Sequence, residues 1–67
     1  MARHHVGQVV AYWPRVTGGS VLGVVTAIHD DPRFGASVTF RITDGNRLYR
    51  TGTEETVFEE DLREPTA

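Results

Sequence analysis

Residues 21–43 read VLGVVTAIHDDPRFGASVTFRIT, and this stretch decides the fold. Its second half, residues 36–43 (ASVTFRIT), alternates apolar and polar side chains with period two, the pattern of a strand with one buried face. Val38, Phe40 and Ile42 are expected to face inward, with Ser37, Thr39, Arg41 and Thr43 outward. Its first half, residues 21–29, is apolar on both faces. Val21, Val25 and Ala27 point one way, and Leu22, Val24 and Ile28 the other. Such a strand is central, strongly bent or covered by an assembly partner. Gly23 fits a bend or a close backbone approach. Between the halves, Asp30-Asp31-Pro32-Arg33-Phe34-Gly35 reads as a turn, because Pro32 presets φ for the second turn position and Gly35 closes it.

Working outward, residues 7–13 (GQVVAYW) form a further predicted strand, with Val9, Ala11 and Trp13 on one face. Residues 14–20 (PRVTGGS) end it, since Pro14 lacks a ladder N–H and Gly18-Gly19 tolerate positive φ. On the other side, Asp44-Gly45 stands between residues 36–43 and 46–51 (NRLYRT), a strong short-range hairpin signal. That hairpin would turn Leu48 inward and leave Arg47 and Tyr49 outside, beside Thr39 and Arg41. Residues 56–62 admit two readings. The preferred one is a closing strand at Thr56-Val57-Phe58 followed by a tight helical turn. The other is a short helix capped by Thr56, with Glu59 completing a capping box. In both, Phe58 and Leu62 plug the core. Four or five short strands with turn signals between them predict an all-β barrel or sandwich. At this size closure is favoured, because it shields edges that a sandwich could not cover.

The chain has 67 residues and no cysteine, so it holds one domain without a disulfide or a cysteine-based zinc site. A domain of this size buries only about 60% of its unfolded surface, which leaves burial against another chain as the remaining stabiliser. No apolar run approaches a membrane span, and residues 1–5 followed by residues 6–10 are too short for a signal peptide. The expected location is the cytoplasm, or a virion assembled there.

The net charge of −2 is unevenly distributed. Residues 1–53 carry six arginines against three acids, whereas residues 54–67 carry six acids against Arg63 alone. Blocks of opposite sign suggest stacking between copies or a partner with matching patches, although acids on a closing turn also keep a small domain soluble.

The run Val6-Gly7-Gln8-Val9-Val10, the glycine-bearing loop after it, and Gly23-Val24-Val25-Thr26-Ala27-Ile28 resemble the opening hairpin of bacterial and phage SH3-like barrels of the KOW and Tudor-like type. Val57-Phe58-Glu59-Glu60-Asp61-Leu62 is similar to the short strand and single helical turn that close many of them. The resemblance covers residues 6–62. It implies a small SH3-like barrel of about five antiparallel strands with one short helical turn near the C-terminus. Residues 1–5 would then be an N-terminal arm and residues 63–67 a tail.

Sites for chemistry are scarce. There is no nucleophile elbow, phosphate loop, dinucleotide fingerprint or paired-histidine zinc motif. His4 and His5 could meet a metal with His29, Asp30 or Asp31, but adjacent residues of an extended chain point opposite ways. No catalytic, cofactor or metal site is therefore assigned, and no small-molecule substrate or membrane is expected. An aromatic cage drawn from Tyr12, Trp13, Phe34, Tyr49 and Phe58 competes with the need for Trp13, Phe40 and Phe58 in packing. The leading expectation is a non-enzymatic protein-interaction or self-assembly module, such as a phage capsid-decoration or connector protein. Its interface would involve Val21, Val24, Val25, Ile28, His4 and His5. The alternative is a nucleic-acid-binding module, in which Arg41, Arg47 and Arg50 contact phosphates and Tyr49 stacks on a base.

Overall fold

The computed structural model describes residues 3–14 and 19–65. The chain forms one antiparallel sheet curled into a half-barrel. Its strands are β1 (Val9–Tyr12), β2 (Val21–Asp31), β3 (Gly35–Asp44), β4 (Glu54–Phe58) and β5 (Leu62–Arg63). A single 3-10 turn, Glu59–Asp61, joins β4 to β5. The order across the sheet is β4-β3-β2-β1-β5, so the two long strands are central and β4 and β5 are the edges. The expected all-β architecture, and the preferred strand-then-turn reading of residues 56–62, are both realised. Most of the turn expected at residues 14–20 lies outside the described residues.

The core follows from the alternation on β3. Val38, Phe40 and Ile42 are fully buried and cluster with Val10, Val21, Val25 and Leu62, while Tyr12, Ile28, Tyr49 and Val57 pack against them. Burying each large apolar side chain contributes roughly 1.5–3 kcal/mol.

The long strand β2 does not keep one parity. Val25 pairs with Phe40 and Ala27 with Thr39, so Thr26 is an extra residue, a β-bulge. The bulge reverses the facing of the residues after it. Ile28, expected on the face opposite Val21 and Val25, therefore packs on the same core, and Ala27 leaves the set assigned to it. Gly23 has the role expected of it. A Cβ there would sit 2.5 Å from Phe40 Cδ2 and 2.8 Å from the Arg41 carbonyl oxygen, so the Phe40 ring occupies the space over the strand that only glycine leaves open.

At the β2–β3 turn, the Asp31 carboxylate accepts the Arg33 and Phe34 amides at 2.7 and 3.3 Å, and Gly35 closes the turn at φ 85°.

Three sequence expectations are corrected. Residues 46–51 are a loop, and the strand antiparallel to β3 begins only at Glu54. Asn46 closes that loop on itself. Its Oδ1 accepts the Leu48 and Tyr49 amides at 3.1 and 2.9 Å, and its own amide donates to the Tyr49 carbonyl at 2.9 Å. The positive φ sits at Gly52 rather than Gly45, and the Ile42 carbonyl accepts the Gly52 amide at 2.7 Å. Consequently Leu48 is exposed, and Tyr49 turns toward the core, where its ring meets Tyr12 edge-on at 6.1 Å. Phe58 does not plug the core either. Val38 pairs with Val57 and Ser37 with Phe58, so Val57 faces inward and Phe58 outward. Trp13, assigned to packing, is likewise half exposed.

Candidate protein-contact surface

The outer face of the sheet is built from residues of opposite parity to the core. Val9, Val24, Arg41 and Glu54 are successive cross-strand partners along one row. Ala27, Thr39 and Thr56 form the next, with the Thr39 and Thr56 hydroxyls 2.7 Å apart and His29 Nε2 3.3 Å from Thr39. His29, Ser37 and Phe58 follow. Thr26, displaced by the bulge, donates to Glu54 Oε2 at 3.1 Å and so ties β2 to β4 across β3.

Two groups of aromatic side chains occur, and they lie at opposite ends of β3. Tyr12 and Tyr49 meet at the end where β3 runs into the loop over residues 45–53. Phe34 and Phe58 line one shallow depression at the turn end, together with Arg3, Gly35, Ala36 and Glu60. Phe34 is 70% and Phe58 49% exposed. The five aromatics considered for a cage therefore do not converge on one point.

The depression is bounded by a clasp that holds the N-terminal segment. Glu59 is the one buried charged residue among those described, and its Oε2 accepts the Arg3 amide at 2.5 Å and the His4 amide at 3.2 Å. The His4 Nδ1 lies 2.8 Å from the same oxygen, and Arg3 Nε 3.6 Å from Oε1. An ionised carboxylate can only accept, so His4 donates from Nδ1. The His4 hydrogen bond holds the Glu59 carboxyl below its usual value. Burial opposes it, while the Arg3 amide and the charges of His4 and Arg3 add to the lowering. Arg3 and His4, in the segment read as an N-terminal arm, are thus tied to the C-terminal turn. Nothing in sequence spacing reveals this contact, because its partners are 55 and 56 positions apart.

The structure distributes the expected contact residues widely. Val21 and Val25 are core residues at 1% exposure, which corrects these two from contact surface to interior, and Ile28 is half-buried against the same core. Val24 is half-buried on the outer face, His4 is in the clasp, and His5 is exposed with its amide donating to Gln8 Oε1. Arg41, Arg47 and Arg50 are all exposed. Tyr49 is turned toward Tyr12, while Arg41 stands on the outer face of the sheet. Phe58 was missed as a surface residue because it read as a core plug, whereas Phe34 stood in the turn expected at residues 30–35, with no sequence signal to bring it beside Phe58.

Among the described residues no group of three or more His, Cys, Asp or Glu side chains gathers to hold a metal ion, and no helix is long and apolar enough to cross a membrane. Compared with known family models, curated proteins and solved structures, the chain matches none.

Proposed function

We propose that the chain is a non-enzymatic protein-interaction module of the SH3-like type, acting as a small component of a larger assembly such as a phage shell or connector. The observation that carries the reading is the placement of Phe34 and Phe58, two exposed aromatics lining one depression at the turn end of the sheet. Scattered exposed apolar residues are ordinary, but adjacent large ones on so small a domain favour a contact surface. Aromatic side chains bring large apolar area with few rotatable bonds, which makes them effective anchors.

Site-specific photo-crosslinking tests this. A photoreactive phenylalanine analogue is placed at position 34, 58 or 47 and irradiated in the native extract. Protein adducts from positions 34 and 58, with little from 47, are expected. Nucleic-acid adducts from position 47, with none from 34 or 58, would overturn the reading in favour of the arginine-bearing loop.

A further inference from the structure

We propose that the free edge of β4 accepts a basic, extended segment of a partner protein as an added antiparallel or parallel strand, with one apolar side chain of that segment seated in the Phe34–Phe58 depression. This rests on the contact surface proposed above and specifies its partner's chemistry. Three observations converge on it.

β4 is hydrogen-bonded to β3 alone and ends the sheet, so its outer backbone groups have no ladder partner. Such a row is a template for another strand. The depression begins where this edge ends, because Phe58 is the last residue of β4 and lines it. Backbone pairing would therefore run directly into a depression whose apolar walls are the Phe34 and Phe58 rings, beside the polar side chains of Arg3, Glu59 and Glu60. The charge of the edge then selects the occupant. Glu54 and Glu55 stand on β4, and Glu60 and Asp61 follow Phe58, all four without an ion pair among the described residues. Glu59, which lies between them, is engaged by Arg3 and His4.

A second copy of this chain is a poor occupant. Parallel in-register pairing of β4 with β4 would set Glu54 and Glu55 directly against their own kind, and antiparallel pairing would bring the same acidic segments of two copies together without a basic partner on either strand. An arginine- or lysine-bearing strand instead gains complementary contacts along the same edge.

The test uses the whole chain labelled with nitrogen-15 and a synthetic peptide alternating arginine with valine around one leucine. Two control peptides carry glutamate for arginine, or N-methyl groups on alternate amides. The expected result is amide shift changes concentrated at residues 34–37 and 54–58. Affinity should fall at least about tenfold on N-methylation or for Phe58→Ser, and be lost for the glutamate peptide. The Glu60→Arg variant, altered at an exposed position, should bind the arginine peptide several-fold more weakly while keeping its own spectrum.

Equal binding of the N-methylated peptide, shifts confined to residues 45–53, or no binding would each overturn the added-strand proposal. So would concentration-dependent shifts at residues 54–58 without peptide, which would mark a second copy as the occupant. Crosslinking at positions 34 and 58 is scored separately. Protein adducts there without peptide binding remove the basic strand and leave the contact surface, and loss of both removes both.

Discussion

Replacing Glu59 with alanine removes one oxygen that accepts three donors: the amides of Arg3 and His4 and the His4 ring. A hydrogen bond to a charged acceptor contributes about 1.5–3 kcal/mol, but the three here share one acceptor. Residues 3 and 4 can also swing into water once released, which lets their donors recover solvent partners. These effects together put the cost at about 2 kcal/mol near neutral pH. For a domain of this size that lowers Tm by roughly 8–16 °C. The pH dependence gives an independent check. Glu59 has its folded-state carboxyl held below the ordinary value of 4.5, so its contribution is fully present above that value. It is lost as pH falls through the lower folded-state value. The gap between wild type and Glu59→Ala should therefore be fully developed at neutral pH and narrow only as pH falls below 4.5. Thermal melts followed by far-ultraviolet circular dichroism across that range measure both effects. A gap under about 2 °C at neutral pH, or one that stays constant into acid, would refute the clasp.

Gly23→Ala should destabilise by about 1–3 kcal/mol in urea unfolding, because its Cβ has nowhere to go between Phe40 and the Arg41 carbonyl. Val57→Ser and Phe58→Ser should differ sharply in the same assay. The first loses a side chain packed on the core, whereas the second should change stability by under about 1 kcal/mol. The only tryptophan, Trp13, is 53% exposed. Its emission should accordingly be readily quenched by acrylamide in the folded protein and move little on unfolding.

What the sequence made legible was set by local periodicity. Residues 38, 40 and 42 alternate so cleanly that their burial is read directly, and Pro32 and Gly35 carry the backbone requirements of the turn between the long strands. The facing of Ile28 was not legible. It depends on the bulge at Thr26, and a single inserted residue reverses parity without any local mark in composition. The pair Asp44-Gly45 misled for a related reason. Asn46 satisfies the amides of residues 48 and 49 within the loop, so the return strand starts several residues later than the dipeptide implies. The loop turns Tyr49 toward the core, and the pairing of Ser37 with Phe58 sets Phe58 on the surface. The candidate site was therefore hidden by register rather than by unusual residues. The clasp was hidden by distance along the chain.

The pairing of Val38 with Val57 is the observation on which the contact surface depends, because it alone turns Phe58 outward. Nuclear Overhauser contacts in the isolated chain measure it directly. The expected result is contact between the Val57 methyls and those of Val38, with the Phe58 ring close to Ser37 and remote from Phe40 and Ile42. Contacts from the Phe58 ring to Phe40 and Ile42, with Val57 turned to solvent, would contradict the assignment of Phe58 to the surface.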